Sequence, residues 1–421
     1  MNSRERVIAT LNHKTPDKIP VDFCSGTVSG INVSVMDDLR KRLGLPEKTV
    51  KIFCPFQMLA YMEEDMRELL HIDMAGVYSP YNKFGLKNDS FKPFTLFNGK
   101  VTDIAESFQY TKDSEGNIYA YPKGDLNAQA SAKMPNNGYY FDNINRETYD
   151  EDDLDGRRDF KNTFTIFSDE VMRDMEEQTQ NLYTNTTYGI SAQFGQGSFG
   201  EPSILPGPAE ETPMGIRKFD DWLMALYTEK EYVKDAYGYQ TEIALKNLKQ
   251  YKEALGNKIN IIQLSATDFG TQNGQFFSNE IFREMYMPYL KELNDWIHQN
   301  TEWKVFYHTC GSIINLMDDL IESGMDIVNP VQCSAEGMDP TVLKERFGDR
   351  VVFHGGGINT QKTLPFGTPE EVYAETTERL NILGKGGGYI FNTIHNIQYG
   401  SPMENVVSLF KAVSDFNAYK K

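Results

Sequence analysis

The amino-acid sequence predicts an α/β fold, a single (β/α)8 barrel of the TIM type over residues 1–421. Short apolar segments that are typical of buried strands alternate with amphipathic helical segments, above all after residue 215. Strands that are apolar on both faces, each followed by one helix, indicate a parallel sheet. The repeat of roughly 25–45 residues per strand-helix unit fits a barrel or a doubly wound sheet.

The predicted elements follow this alternation along the chain. The later strands are INIIQLSATDFG, EWKVFYHTCG, MDIVNPVQC, DRVVFHGGG and GGYIFNTIHN. The helices between them are NEIFREMYMPYLKELNDWIHQN, SIINLMDDLIESG, PTVLKERFGD and TPEEVYAETTERLNILGKG. Near the N-terminus, KIPVDF and IDMAGVYSP are predicted as the first strands, with DDLRKRLG and MRELL as helices between them.

The segment at about 86–145 has a different pattern. Turn sequences such as NG and EGN separate segments of alternating Phe, Tyr, Val and Ile, which is typical of antiparallel hairpins. We therefore expect hairpins to be inserted in the barrel, where they roof the pocket and select the substrate.

Composition and charge exclude several classes of protein. The net charge of −18 disfavours binding to nucleic acid or to an anionic membrane surface. No apolar run approaches a membrane span, and MNSRERVIATLNHK lacks the core of a signal peptide. The four cysteines, Cys24, Cys54, Cys310 and Cys333, are too widely spaced to indicate a disulfide framework. We expect a cytoplasmic protein that binds a small molecule or another protein, and a homodimer is one assembly consistent with this sequence.

Functional groups of a parallel barrel collect at the carboxyl ends of its strands. The residues that this rule selects are Asp22, Asp73, Asp268, Gln272, His308, Cys310, Gln332, Cys333, His354, Gly355, Gly356, Gly357, Asn392 and His395. Asp268 directly follows a strand, so it is expected either to face the pocket or to cap the next loop. The glycine triplet after His354 is consistent with an anion-binding nest, although a plain tight turn is favoured.

The segment KVFYHTCGSI, residues 304–313, places a histidine and a cysteine two residues apart at a strand end. Alternate residues of a strand share a face, so Phe306, His308 and Cys310 are predicted to face the barrel interior and its mouth. Imidazole and thiolate are good ligands of Zn²⁺, and His395, Cys333 or an acidic residue are candidates for the remaining positions. A Cys-His nucleophile is disfavoured, because such side chains on a strand stand about 6–7 Å apart. Packing without a metal remains the alternative to zinc.

Four segments together resemble the uroporphyrinogen decarboxylase superfamily, and more closely its corrinoid-linked methyltransferase branch. They are NSRERVIATLNHKTPDKIPVDF, DFGTQNGQFFSNEIFREMYMPYLKEL, KVFYHTCGSIINLMDDLIESGMDIVNPVQ and GGGYIFNTIHNIQYGSPMENV, which cover almost the whole chain in order and spacing. The resemblance implies a (β/α)8 barrel with its pocket at the carboxyl ends of the strands. True decarboxylases carry a Met-Arg-Gln-Ala-Gly-Arg segment after the first strand, whereas KIPVDF continues here as CSGTVSGINV. The missing arginines argue against decarboxylation of a substrate with eight carboxylates.

The resemblance also implies a metal site. In the methyltransferases a His-x-Cys element, which corresponds to His308 and Cys310, supplies two zinc ligands, and a cysteine on the last strand supplies the third. The matching stretch here, FNTIHNIQYGSP, has His395 at or near that position, so the ligand type differs. The expected ligands of Zn²⁺ are therefore His308, Cys310 and His395, with Cys333 as the alternative.

The function implied by the resemblance is transfer of a methyl group between a small methylated substrate and a corrinoid. The chain contains no B12-binding Asp-x-His-x-x-Gly sequence, so the corrinoid (cobalamin) is expected on a separate partner protein, as in an anaerobic demethylase. Asp268, or alternatively Asp22, is expected to act as acid or base. The expected substrate-binding residues are Gln272, Gln332, Asn392 and Gly356. The alternatives are a uroporphyrinogen decarboxylase and a non-catalytic barrel that binds a small molecule.

Overall fold

The computed structural model describes residues 1–419. The α-helices are α1 (Ser3–Leu11), α2 (Val33–Arg42), α3 (Glu64–Leu69), α4 (Gly156–Phe160), α5 (Asp169–Asn185), α6 (Phe219–Thr228), α7 (Lys230–Leu255), α8 (Asn279–Met285), α9 (Met287–Asn300), α10 (Met317–Glu322), α11 (Pro340–Phe347), α12 (Thr363–Phe366), α13 (Pro369–Leu383) and α14 (Met403–Tyr419). The β-strands are β1 (Ile52–Cys54), β2 (Leu59–Ala60), β3 (Met74–Val77), β4 (Phe91–Thr95), β5 (Val101–Ala105), β6 (Tyr110–Lys112), β7 (Ile118–Ala120), β8 (Ala132–Met134), β9 (Asp142–Asn143), β10 (Gly189–Gln193), β11 (Ile261–Ser265), β12 (Lys304–His308), β13 (Ile327–Asn329), β14 (Val352–His354) and β15 (Tyr389–Ile390). In the part of the chain that the structure describes, no helix combines the length and apolarity needed to cross a bilayer.

The central sheet curls into a barrel. Within residues 1–419 it contains seven parallel strands in the order β15, β14, β13, β12, β11, β10 and β3. The extended segment around Val21 lies between the two edges of this sheet. Val21 forms a parallel bridge with Phe391, and its carbonyl accepts a hydrogen bond from the Asp73 N–H at 2.8 Å. This segment, predicted as the strand KIPVDF, takes the place of an eighth strand, and the predicted TIM-type barrel is confirmed.

Helix α1 fills the amino-terminal end of the barrel. Its Val7 and Leu11 are buried in a cluster of apolar side chains that come mostly from the barrel strands. These partners are Val28, Met74, Ile261, Phe306, Ile327, Val352 and Ile390. Burial of this layer removes apolar surface from water and leaves the carboxyl ends of the strands as the open end of the barrel.

Most elements predicted after residue 258 are present, with one interruption. The predicted helix over 279–300 is divided into α8 and α9 at Tyr286, which has a φ of −117°. Pro288 lies in the first turn of α9, where its missing N–H costs no helical hydrogen bond. Strand β12 has the predicted alternation, since Phe306 faces the interior layer while the Tyr307 hydroxyl contacts Asn294 of α9.

Antiparallel strands occupy the predicted insertion. Strands β4 and β5 form one hairpin, and β6 to β9 form a four-stranded antiparallel sheet. Three buried rings, Phe84, Phe108 and Phe141, meet edge to face with centroids 5.7 to 6.1 Å apart. The Phe141 N–H also donates to the Phe56 carbonyl at 2.8 Å, which ties the insertion to the loop after β1.

Candidate metal centre

A cavity of about 680 Å³ lies at the carboxyl ends of the barrel strands. Gln193 and His308, which end β10 and β12, line it, as does Asp268, which follows β11. The insertion contributes Asn88 and the stretch 140–143 to the wall. Aromatic side chains form much of the remaining wall, namely Phe53, Phe56, Tyr81, Phe167, Phe194 and Tyr251. The cavity is thus large enough for a small organic molecule and is lined by apolar and polar groups.

Three potential metal ligands meet beside this cavity. His308, Cys310 and His395 each place a ligand atom so that all three atoms lie within 4.8 Å of one another. The two imidazole centroids are 5.0 Å apart, and Cys310 Sγ lies 3.3 Å from His308 Nε2. Two nitrogen donors and one sulfur donor suit Zn²⁺, and three protein ligands leave the fourth tetrahedral position for a substrate.

The distance between His308 and Cys310 differs from the sequence-based expectation. Side chains two apart on a strand were expected about 6–7 Å apart, which is wrong here because β12 ends at His308. After that residue the Cys310 N–H donates to Asp268 Oδ1 at 2.7 Å, and the chain turns at Gly311, whose φ is +90°. The turn brings the thiol and the imidazole together.

The imidazole of His308 is held by Asn329. Asn329 Nδ2 lies 3.2 Å from the carbonyl oxygen of His354, which only accepts, so the orientation of the amide is fixed. Asn329 Oδ1 therefore faces His308 Nδ1 at 2.5 Å, and that nitrogen carries the proton. His308 Nε2 keeps its lone pair and faces Cys310. Such a hydrogen bond on the far nitrogen is the usual support of a metal-binding histidine.

The same network continues to Asp22. Asn329 Nδ2 donates to His354 Nδ1 at 2.8 Å, so His354 Nε2 carries the proton and donates to Asp22 Oδ2 at 2.8 Å. The Ser25 hydroxyl donates to the same oxygen at 2.6 Å. Asp22 is 1% exposed and is not among the described residues that line the cavity. Its carboxylate orients His354 and, through Asn329, supports His308.

The hydrogen bonding of His395 favours metal binding less than that of His308 does. Its backbone has a φ of +65°, and its Nδ1 accepts the Asn396 N–H at 2.8 Å, so the neutral ring carries its proton on Nε2. Burial, with a contribution from neighbouring His308, lowers the pKa of His395 to about 3. A metal at Nδ1 would replace the Asn396 hydrogen bond, whereas a metal at Nε2 would require the proton to move.

His308 and Cys310 are both neutral at pH 7 without a metal. Burial lowers the pKa of His308 to about 4, and burial raises the pKa of the Cys310 thiol well above its usual value. A thiolate-imidazolium nucleophile pair is therefore disfavoured despite the short contact. Metal binding would instead ionise the thiol and release its proton.

Asp268 combines the two roles considered for it from sequence. Its Oδ1 accepts the Cys310 N–H and lies 3.8 Å from His308 Nε2, while the side chain remains 32% exposed to the cavity. Burial raises the pKa of Asp268. The carboxyl group thus anchors the loop that carries Cys310 and also faces the cavity.

Other residues predicted for the substrate support the loops around the centre. Gln332 Oε1 accepts the Gly311 N–H at 2.8 Å, and its Nε2 donates to Gln272 at 2.9 Å. Asn392 Nδ2 donates to the Asp22 carbonyl at 2.6 Å. Among the described residues that line the cavity, Gln272, Gln332, Asn392 and Gly356 are not present.

The structure does not bring Cys333 to the three-residue group. Its Sγ lies 4.0 Å from the Gly356 carbonyl, and the group of ligand atoms found within residues 1–419 omits it. The glycine triplet does not form an open nest, because the Gly355 and Gly357 amides donate to the carbonyls of Ile390 and Asn392. The residues after β14 therefore continue the barrel hydrogen bonding.

A polar cluster that the sequence analysis missed lies on the cavity wall. Glu201 Oε1 accepts hydrogen bonds from the N–H and the hydroxyl of Ser203, and Lys83 Nζ donates to the same hydroxyl. All three residues line the cavity. They occur in the loop segments YNKFG and GEPSILPG, which carry no motif or periodicity. Only the fold brings them together, so the sequence contained no signal for this cluster.

Gly311 provides a test of the turn that carries Cys310. An added Cβ would lie 2.2 Å from the backbone carbon of Gly270, and the positive φ disfavours any other residue. We expect Gly311→Ala to lower the free energy of unfolding by about 2 kcal/mol. Gly274→Ala is the matched control, because an added Cβ there meets nothing within 4 Å. Equal stability of the two variants in chemical denaturation would contradict a constrained turn.

Comparisons with known proteins agree with this architecture. Residues 213–416 match the uroporphyrinogen decarboxylase (URO-D) family. Uroporphyrinogen decarboxylase of Coxiella burnetii (strain RSA 493 / Nine Mile phase I) is 34% identical over 89 residues, which are 20% of this chain and 24% of that protein. The enzyme of Shewanella halifaxensis (strain HAW-EB4) is 26% identical over 152 residues, 34% of this chain and 40% of that protein. These matches span less than half the length of the curated relatives.

One solved structure aligns with the whole fold. A methyltransferase from Methanosarcina mazei superposes with a TM-score of 0.55 and 16% sequence identity, over 99% of this chain and 99% of the other. At that identity the likeness concerns the fold. The family match over residues 213–416 agrees with the resemblance that the sequence segments predicted.

Proposed function

We propose that this protein is a zinc-dependent methyltransferase that moves a methyl group between a small methylated substrate and the corrinoid of a separate protein. The observation that carries the proposal is the meeting of His308, Cys310 and His395 beside the cavity. The likeness of the complete fold to a methyltransferase supports it. The hydrogen bond from His308 Nδ1 to Asn329 also supports it, since that bond leaves Nε2 available to a metal.

The residues of the centre have distinct roles in this function. Zinc held by His308, Cys310 and His395 would supply a Lewis acid that stabilises charge on the atom that loses the methyl group. Asn329 fixes the ring of His308, and Asp268 fixes the loop of Cys310. The aromatic wall excludes water from the substrate, which strengthens each electrostatic interaction inside the cavity.

Helix α1 limits the direction from which a partner protein can reach the metal centre. Val7 and Leu11 of α1 fill the amino-terminal end, so a corrinoid has access to the centre only from the carboxyl end. The partner protein would therefore present its corrinoid at the mouth of the barrel, with the methylated substrate between the corrinoid and the metal ligands.

The charge of the cavity disfavours uroporphyrinogen decarboxylation. Lys83 is the one lysine or arginine among the described residues that line it, whereas Asp142, Glu201, Glu210 and Asp268 are acidic. A substrate with eight carboxylates requires several cationic groups at its binding site. The cavity instead suits a neutral or cationic molecule.

Methyl transfer to a corrinoid protein tests the proposed function. We expect the zinc-loaded protein, mixed with a reduced corrinoid protein and a panel of methylated compounds, to convert the cobalt(I) spectrum with at least one compound. Protein stripped of metal by a chelator is the control and should leave the spectrum unchanged. Turnover of uroporphyrinogen by the metal-free protein, with no change in the cobalt spectrum for any compound, would contradict the proposal.

A further inference from the structure

Glu201 is a buried carboxyl group on the wall of the same cavity as the metal ligands. Its residue is 8% exposed, and Oε2 has no hydrogen-bond partner among the described residues. Oε1 accepts both the N–H of Ser203, at 3.2 Å, and its hydroxyl, at 2.5 Å. An ionised carboxylate with one unpaired oxygen is costly to bury, so this environment favours the protonated form.

The charged groups around Glu201 shift its pKa in opposite directions. Asp268, which lines the same cavity, repels a second negative charge, and the thiol of Cys310 is also within electrostatic range. Lys83 attracts a negative charge on Glu201, but within residues 1–419 the two form no direct ion pair, because Ser203 lies between them. Burial and Asp268 dominate and raise the pKa of Glu201 to about 7.

Asp268 is the poorer candidate to carry a proton. Its Oδ1 accepts the Cys310 N–H, which favours the ionised carboxylate, and a cation held by His308 and Cys310 would favour that form further. When two carboxyl groups share a low-dielectric site, one of them retains the proton. The geometry makes that group Glu201.

The hydrogen bonds behind Glu201 form a directional chain. Lys83 Nζ donates to Ser203 Oγ at 2.5 Å, and Ser203 Oγ in turn donates to Glu201 Oε1. Lys83 also lies against the ring of Phe56, with Nζ 4.7 Å from the centroid, and it lines the cavity. The chain therefore connects the carboxyl group with a second proton donor.

We propose that Glu201 donates a proton to the oxygen that leaves when the methyl group is removed, and that Lys83 restores this proton through Ser203. The inference rests on the proposed methyl transfer and makes O-methyl compounds the substrates whose demethylation requires Glu201. When a methyl ether or methanol loses its methyl group, the leaving group is a strongly basic alkoxide or hydroxide unless it is protonated. When a methylated ammonium or sulfonium compound loses its methyl group, the leaving group is a neutral molecule and needs no proton donor.

The step is balanced in atoms and electrons. The carbon–oxygen bond of the substrate breaks and its electron pair stays on oxygen, which takes the proton of Glu201 to give the alcohol, or water when the donor is methanol. The methyl carbon bonds to the cobalt(I) of the corrinoid partner, which supplies two electrons and becomes cobalt(III). Glu201 is left as a carboxylate, and a proton from Lys83 passes through Ser203 to restore it. The neutral amine of Lys83, which lines the cavity, then takes up a proton from solvent.

Infrared spectroscopy of the zinc-loaded protein tests whether Glu201 carries a proton. The measurement requires no turnover. We expect a protonated-carboxyl C=O band at about pH 6 that disappears as the pH rises through about 7. Glu201→Gln should lack the band, while Glu211→Gln, a nearby glutamate that is 57% exposed, should retain it. Lys83→Met should move the transition to higher pH by about one unit, because a cation lowers the pKa of a nearby carboxyl group. A band that survives in Glu201→Gln, or a transition that Lys83→Met does not move, would overturn the proposal.

Turnover with two kinds of methyl donor separates a proton donor from a structural residue. With methanol or a methyl ether, Glu201→Gln should lower kcat about a hundredfold or more, and the wild-type rate should fall as the pH rises above about 7. With tetramethylammonium, Glu201→Gln and the wild type should be equally active. Equal losses with both donors would contradict proton donation. If no donor methylates the corrinoid while the infrared band titrates as expected, the proposed function fails and the protonation of Glu201 stands.

Discussion

Cys310→Ala is expected to remove the bound zinc and to lower methyl transfer by about a thousandfold, which corresponds to several kcal/mol of lost Lewis-acid stabilisation. The thiol is the one sulfur donor in the group formed with His308 and His395. Without it, two histidines remain, and two ligands hold zinc weakly. Metal analysis of the purified variant and the cobalt spectrum during turnover measure the two effects.

Cys333→Ala is the matched control for this experiment. Cys333 is also partly buried near the carboxyl ends of the strands, but its Sγ contacts the Gly356 carbonyl and lies outside the three-residue group. We expect this variant to retain about one zinc per chain and its activity. Loss of zinc in Cys333→Ala together with retention in Cys310→Ala would identify Cys333 as the sulfur ligand and contradict the proposed centre.

Asn329→Leu is expected to weaken both the fold and the metal site. Asn329 is fully buried and joins His308 to His354, so leucine would leave a nitrogen of each ring without its partner. We expect the free energy of unfolding to fall by about 2–4 kcal/mol, because two buried polar groups lose their hydrogen bonds. Zinc affinity should fall about 10- to 100-fold, which is typical when the support of a ligand histidine is removed.

Chemical denaturation and titration with a competing chelator measure these two quantities. Asn381→Leu is the control, since Asn381 is exposed on α13 and its amide donates to the Thr377 carbonyl in the same helix. This variant should change the unfolding free energy by less than about 0.5 kcal/mol. A folded Asn329→Leu protein with wild-type zinc affinity would show that the tautomer of His308 is not set by Asn329.

The sequence predicted the barrel where its strands are apolar. Strands β11 to β15 all lie in predicted segments, because their Val, Ile, Leu and Phe residues are buried on both faces. Strand β10, with the sequence GISAQ, was missed because small and polar residues make it resemble a loop. Its identity as a strand comes from pairing with β3 and β11, which no local pattern reveals.

The sequence predicted which potential metal ligands meet, but it did not predict which of the other selected residues face the cavity. His308 and Cys310 share a strand end, and the family resemblance indicated His395. The strand-end rule also selected Gln332 and Asn392, whose hydrogen bonds show that they support loops. Spacing alone does not separate a residue that faces a cavity from one that packs beside it. Glu201 lies in an irregular loop, so its approach to Asp268 depends on the whole fold.

X-ray absorption at the zinc edge of the purified protein measures the metal environment most directly. Coordination by His308, Cys310 and His395 predicts one Zn–S distance of about 2.3 Å and two Zn–N distances of about 2.0–2.1 Å. His395→Ala should also lower the zinc content, because it too leaves only two of the three ligands. A fully active protein that contains no zinc, or zinc without a sulfur ligand, would contradict the proposed centre.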